Sequence, residues 1–570
     1  MRMSPRSSLS HAWLAALLGL PALHAGAQTP PDAGSLLREM ERNLRAPSGS
    51  SAPQAVPAAR PMPEDAKSTR ITVRRIVLEG ASLVPESELQ ALVAPLAGQS
   101  LTFAQLEHAA QRIAEDYRRR GWYARVYLPQ QDVTDGTVRI RVLEGRYGGA
   151  NVDAGERRAN AASVQSTVTH RLRPGRPLSA ADLERGLLLA NDLPGVHAEG
   201  VLQPGDDQGE TRLALAVQDT AFVTGDAGVN NYGLKSTGVP QAVGGVALNN
   251  LTGGGDQLAL RLLAARDIHS AVARYSLPLG HDGLRLSLQA STLDYELGGD
   301  YRSLEAKGKA HTGGFTFSYP LIRQVDRNLT LSAGYEHRRY DDDMLGEALH
   351  RQRVNAITLG LGGDVRDGLG GGAVNWGAAQ LTQGNLNLDG VAGDAAQDAV
   401  SARSSGRYTK LAWNMTRLQN LGAGWQVQLS FSGQLASGNL ASSERMTLGG
   451  PSQVRAYPVN EASGDQGMLL KLELQRELGY GWQAVAFYDT GRIQQHKSAW
   501  DGWNASSGQP NRYSLSGAGL GLNWRARQWV MSASVAVPVG HNRGASANGR
   551  NSDGSRASSA RGWVSLAWLF

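Results

Sequence analysis

Three patterns of apolar and polar positions succeed one another along the chain. Between residues 32 and 46, Leu36, Leu37, Met40 and Leu44 recur at spacings of three and four, with Arg38, Glu39, Glu41, Arg42 and Arg45 on the other positions, which predicts a short amphipathic helix within a segment 28–46. Residues 47–70 then carry Pro47, Pro53, Pro57, Pro61 and Pro63 among Ala, Ser and Gly, a composition that buries no core. Such a linker reaches on the order of 70 Å at about 3.1 Å per residue. From 71 to 145 the periodicity predicts strand, helix, helix, strand, strand, at 71–78, 85–96, 103–120, 122–128 and 137–143. Residues 146–218 repeat that order more loosely, with helices at 163–172 and 180–189 and strands near 196–202 and 211–217. Two similar α+β modules in series are expected.

Beyond residue 218 the period becomes two. Leu258, Leu260 and Leu262 alternate with polar residues, as do Leu284, Leu286 and Leu288, and Met468, Leu470, Leu472 and Leu474. About sixteen such runs of roughly ten residues fill 219–570, the length of a tilted membrane strand. Their connections alternate between short turns (252–255, 279–282, 367–371, 420–423, 479–480, 526–527) and longer links (295–310, 341–351, 383–405, 436–465, 492–512, 539–560). Trp376, Trp425, Trp482, Trp524 and Trp529 lie beside the short turns, where an interfacial girdle belongs. At the end, Val564, Leu566, Trp568 and Phe570 alternate and finish on an aromatic, like the terminal strand of outer-membrane proteins. A soluble sandwich would produce the period but not the alternating link lengths or the girdle.

Composition adds limits rather than a direction. The 570 residues contain 69 Gly and no Cys, which removes disulfides, thiolate-bound zinc and thiol chemistry. Arg2 and Arg6 before an apolar run, with Ala25-Gly26-Ala27 as a cleavage site, predict a signal peptide over 1–27. No later stretch approaches the roughly 20 apolar residues of a spanning helix, so membrane residence requires a barrel. A net charge of +6 without an aromatic-interleaved basic stripe gives no reason to expect nucleic acid. Gly228, Gly233 and Lys235 imitate a phosphate loop, but Leu234 and the missing strand-to-helix context argue against one. Asp341, Asp342 and Asp343 suit either a divalent cation or, more simply, an acidic outer loop. Neither catalytic residues, nor a metal site, nor a cofactor is expected.

Two modules, a barrel, a helix on a Pro-rich linker and two short motifs together resemble the TpsB transporters of two-partner secretion, relatives of the BamA-type insertases. The likeness spans nearly the whole chain after residue 27. It implies a mainly β architecture: a sixteen-stranded antiparallel transmembrane barrel preceded by two POTRA domains and an N-terminal plug helix. It also implies that the link 436–465 enters the lumen, carrying Val454, Arg455, Ala456 and Tyr457 where the family has Val-Arg-Gly-aromatic. Phe487, Asp489 and Gly491 match the family's Phe-x-Asp-x-Gly, so an Arg455–Asp489 pair is implied. A solvated loop arginine and a turn aspartate are the alternative. If the loop requires a positive φ at 456, alanine there costs about 1 kcal/mol. Implied partners are a secreted TpsA-like exoprotein (adhesin, haemolysin or contact-dependent inhibition toxin), outer-membrane lipid and lipopolysaccharide, and the barrel assembly machinery during biogenesis. An insertase and a diffusion porin are the rivals, and partner docking or disorder is the alternative to plugging for the helix.

Overall fold

A computed structural model describes residues 30–44 and 70–570, apart from 154, 156 and 506. The expected signal peptide 1–27, and nearly all of the linker 47–70, lie outside the described residues.

The first module places two helices, Glu86–Val93 and Phe103–Arg119, on a three-stranded sheet in which Arg75–Glu79 runs parallel to the central Thr137–Glu144 and Ala124–Tyr127 runs antiparallel to it. Thr102 caps the longer helix reciprocally with Gln105, and Leu106, Ile113 and Tyr117 bury its inner face. The run at 71–78 is two strands rather than one: Arg70–Thr72 leaves the sheet to pair with Ser100–Thr102. The second module repeats the topology, with Arg146–Val152 parallel to Glu210–Asp219 and Val196–Pro204 antiparallel on the other edge, below the helices Ala161–Thr169 and Ala180–Asn191. Its first strand escapes a periodicity reading because Gly148 and Gly149 interrupt it with a register shift.

Sixteen antiparallel strands then close into one barrel, from the first, Val223–Asn230, to the sixteenth, Arg561–Leu569, which pair with each other. Closure leaves no unpaired edge to meet lipid. Apolar side chains at alternate positions point out and stay uncovered by protein, among them Leu262, Leu288, Ile357, Leu472 and Leu520. The terminal strand presents Val564, Leu566 and Trp568 on this face, in register with Ala533, Met531 and Trp529. Phe570 stacks on Trp568, with ring centroids 4.8 Å apart.

Two expectations need correction. The link at 341–351 is no loop: the seventh strand, Arg327–Met344, and the eighth, Glu347–Asp367, run on to a two-residue turn of Leu345 and Gly346, both at positive φ. Asp341 and Asp343 therefore sit within a strand, bonded to Arg351 rather than crowning an acidic loop, because like-charged neighbours on alternate positions are neutralised across strands. Trp376 pairs with lumen-facing Asp364 and points inwards, so it is not part of the girdle. The other four tryptophans take the outward parity of their strands beside short turns, Trp482 and Trp524 being cross-strand partners 5.7 Å apart.

Candidate functional site

The lumen is where polar chemistry converges. In the thirteenth strand, Trp482–Gln494, the spacing of Phe487, Asp489 and Gly491 puts all three on the inner face. Between the eleventh strand, Trp425–Ala436, and the twelfth, Gln466–Gly479, residues 437–465 fold back into the barrel and lay Arg455 against them.

The contact is tight and desolvated. Arg455 Nε donates to Asp489 Oδ2 at 2.8 Å and Nη2 to Oδ1 at 2.7 Å, while the backbone N of Arg455 donates to the same carboxylate at 3.2 Å. Its third nitrogen meets Glu473 of the twelfth strand at 2.9 Å, and its guanidinium carbon lies 3.4 Å from the centroid of the Phe487 ring. Asp489 is fully buried. Trp563 of the last strand donates its indole N–H to the Arg455 carbonyl at 2.7 Å, so the loop is held from both sides. One cation thus faces two carboxylates and an aromatic face, the arrangement for which a planar guanidinium is suited and an ammonium is not.

Around this pair Val454, Ala456 and Tyr457 are buried with Leu448, Leu469, Leu515 and Ala536. Gly491 makes room for the seat: a Cβ there would lie 2.6 Å from the buried Leu448 side chain, which would have to shift. Ala456 is not among the positive-φ residues, so its methyl carries no backbone strain; the positive-φ positions of the loop fall instead at Gly450, Asn460 and Ala462. The methyl lies against Gly517 of the fourteenth strand, Arg512–Ala526, where a second methyl would collide with it. Gly517→Ala is accordingly expected to loosen the loop, and adding Ala456→Gly to restore it. Protease protection of residues 437–465 measures both steps, and an unrescued double variant would show that the two methyls do not share that space.

Three further anchors carried no sequence motif. Glu444 accepts from Arg338 at 2.7 Å and pairs with Lys410 at 2.6 Å; burial alone would raise its carboxyl, but these two cations hold it down to about 2. Asp465, also fully buried, binds Arg445 at 3.1 Å and the backbone N of Lys497 at 2.8 Å. Glu461 accepts from Asn542 and from the backbone N of Ser552, both at 2.8 Å, which ties the lumenal loop to the outer link 539–560. Their only sequence signal is an acid in a loop, which is usually solvated.

The helix Ala33–Asn43 lies inside the barrel beside this loop. Asp32 caps it, accepting from Ser35 N at 2.8 Å. Leu36, Leu37, Met40 and Leu44 are buried against inward residues of the wall, including Leu293, Tyr340, Val354 and Tyr408. Its polar face meets the loop: Arg42 donates to Thr447 at 2.6 Å and to Asn460 at 2.9 Å, and Asn460 donates to Glu39 at 2.9 Å. At the N-terminus Ala33 N donates to Asp342 at 2.9 Å. The helix is therefore enclosed on both faces, and Glu39, on the polar side of the helical pattern, is only 1% exposed.

Below, the second module is clamped to the barrel floor. Arg171 and Arg185 both reach Asp282 in the turn between the fourth strand, Ile268–Pro278, and the fifth, Arg285–Glu296, at 3.0 and 3.3 Å. Arg323 reaches Asp192 at 2.7 Å. Burial alone would raise the Asp282 carboxyl, but the hydrogen bonds from Arg171 and Tyr319 and the charges of Arg171 and Arg185 hold it down to about 2.

A closed sixteen-strand barrel with a modular arm at its inner mouth and an occupied lumen defines a class, the outer-membrane transporters of the POTRA–barrel type, with the modules in the periplasm. Residues 209–524 match the family model described as haemolysin secretion/activation protein ShlB/FhaC/HecB, and residues 71–145 match the POTRA domain, ShlB-type. The chain belongs to that ShlB/FhaC/HecB family of transporters. Among curated relatives, the heme/hemopexin transporter protein HuxB of Haemophilus influenzae (strain 86-028NP) is 28% identical over 567 residues, covering 95% of this chain and 97% of its own. The outer membrane transporter CdiB of Escherichia coli O6:K15:H31 (strain 536 / UPEC) is 27% identical over 509 residues, covering 84% and 81%. In fold, the chain is similar to CdiB from Escherichia coli, with a TM-score of 0.69 at 22% identity over 96% of this chain and 100% of that one. It also resembles BamA from Haemophilus ducreyi lacking POTRA domains 1–3, with a TM-score of 0.54 at 16% identity over 88% and 100%.

Proposed function

We propose that the protein passes one unfolded secreted partner, a TpsA-like exoprotein, from the periplasm to the cell surface. The observation that carries this reading is the occupied lumen: a diffusion porin needs neither a capped helix seated across its bore nor a loop pinned by a buried arginine. In the second module Val196–Pro204 is an edge strand with Val201 60% exposed, which suits addition of an extended client strand by backbone hydrogen bonds. No nucleotide-binding motif accompanies it, so transport runs downhill, drawn by folding of the client outside. The surrounding lipid, including lipopolysaccharide, and the assembly machinery that inserts the barrel are its other partners.

The helix Ala33–Asn43 is the resting plug, and the Arg455–Asp489 contact is the clasp that keeps the loop seated. The test against an insertase is genetic. Removing the chain is expected to abolish a single large secreted protein from the medium while other outer-membrane barrels stay at normal levels. Depletion of many barrels with no secreted protein lost would overturn the proposal.

Plug seating is expected to respond to pH through Glu39. Burial pushes its carboxyl up to about 7, against the opposing pull of Arg42, Asn460 and Arg38, whereas in a helix released to water it ionises near 4.5. The seated state thus holds the proton more tightly, so its contribution to seating is greatest below 4.5, falls as pH rises towards 7, and is level above that. Open-channel probability is expected to rise between pH 5 and 7.5 and to rise much less steeply in Glu39→Gln, with Glu41 of the same helix, its carboxyl also raised by burial, supplying the remainder. A wild-type slope retained in that variant would assign the dependence elsewhere.

A further inference from the structure

The outward face of the fifth to eighth strands carries charge that the transport role leaves unused. Register fixes its layout, because cross-strand partners lie side by side in rows that slope with the tilt of the strands. One outward row holds Leu288, Phe315, Tyr335 and Ile357, an apolar and aromatic band in which the Phe315 and Tyr335 rings are 6.0 Å apart. Two rows further towards the outside, on the order of 10 Å higher for a tilted strand, the partners are His311, Arg339 and Arg353. All three are exposed.

That row is electrostatically unfavourable as it stands. Arg339 and Arg353 are direct cross-strand partners, and like charges opposite one another destabilise a sheet. Arg339 leans on Asp341 at 2.9 Å but remains 57% exposed, while Arg353 has no hydrogen-bond or ion-pair partner among the described residues. One row higher the signs are mixed and largely satisfied within the protein, with Lys309 on Asp294 at 3.2 Å and Arg351 on Asp341 at 3.5 Å. The cations left over are therefore those nearest the bilayer. Their side chains project from strands of 18 and 21 residues, long enough to continue past the apolar band to the depth of the outer-leaflet headgroups.

We propose that His311, Arg339 and Arg353 form a binding site for the phosphate groups of the phosphorylated glycolipid of the outer leaflet. A guanidinium pair set one strand apart can take a phosphate between them, and the anion removes the like-charge penalty that the bare row carries. The site rests on the outer-membrane location of the barrel and adds to it a specific lipid contact on one side of the wall.

The full-length protein, delipidated in detergent, is to be titrated with diphosphoryl lipid A and with its enzymatically dephosphorylated form, bound lipid being counted by native mass spectrometry. Wild type is expected to bind the phosphorylated lipid about tenfold more tightly, Arg339→Gln/Arg353→Gln to lose most of that preference, and Arg339→Lys/Arg353→Lys to keep the larger part of it. Migration of unheated protein on gels reports whether each variant retains a folded barrel. Should the double variant not fold, Arg353→Gln alone carries the comparison. Equal binding of the two lipids, or full preference retained in a folded glutamine variant, would overturn the proposal. Complete displacement by millimolar inorganic phosphate would overturn the lipid assignment in favour of a free-anion site. Because the readout is lipid held by purified protein, a negative result leaves the proposed transport role untouched, and a failed secretion assay leaves this result untouched.

Discussion

Deleting residues 32–46 is expected to raise single-channel conductance in planar bilayers at least about twofold, since a helix of about 10–12 Å diameter then vacates a sixteen-stranded bore. The contacts of the seat show what holds the helix in place. Leu36, Leu37, Met40 and Leu44 bury an apolar stripe on the wall, and its polar attachments run to individual side chains rather than to a continuous sheet edge. Ala33 reaches Asp342, Arg42 reaches Thr447 and Asn460, Asn460 reaches Glu39, and Asn43 reaches Gln241. Hydrogen bonds of this kind contribute about 0.5–1.5 kcal/mol each, more where a charge is involved, so the helix is held by a sum of modest terms. Met40→Asp, which sets a charge within the apolar cluster that the helix shares with the wall, is expected to act in the same direction with the chain at full length. Conductance unchanged in both variants would mean that the helix does not obstruct the path.

The second large effect concerns Arg455. Arg455→Ala leaves Asp489, fully buried, and Glu473 without the guanidinium that binds both, with only the ammonium of cross-strand Lys471 to offset them, and breaking such a buried pair costs up to about 3–5 kcal/mol. The loop is expected to leave its seat and secretion to fall close to zero. Because the chain has no cysteine, a single thiol probe introduced by Val459→Cys reports the change cleanly: Val459 is buried in the seated loop, and the labelling rate of the probe is expected to rise about a hundredfold or more in the Arg455→Ala background. Asp489→Asn is expected to do less, since the amide keeps an acceptor and Arg455 keeps Glu473. A thiol at position 459 that stays protected when Arg455 is gone would show that Glu444, Asp465 and Glu461 hold the loop without it.

The barrel, the helix and the lumenal loop differ in how far the sequence alone sets them. Alternation of leucines with polar residues sets the barrel, because a strand alternates its faces every residue whatever lies around it, and Phe487, Asp489 and Gly491 share a face for that reason alone. The amphipathic helix is legible on the same grounds, since its spacing of three and four is a property of the helix itself. Alternation says nothing about where a strand stops, so the charges of Asp341 and Asp343 suggest a loop along the chain, and only the cross-strand Arg351 that neutralises both keeps them within the seventh strand. Nor does it fix which parity faces the lipid when the residue is a tryptophan, as Trp376 demonstrates.

What the linear chain determined, then, is every feature that depends on neighbours a few positions away: the helix, the two modules, the sixteen strands and the inward face of the thirteenth. Only the closed tertiary structure decided what depends on residues far apart in the chain. It gave Ala456 its space against Gly517, buried Glu39 under Asn460, and brought Glu444 between Arg338 and Lys410. The physical reason is that burial and charge pairing are set by distance in space, which closing the barrel and folding the loop into it establish and which spacing along the sequence does not encode.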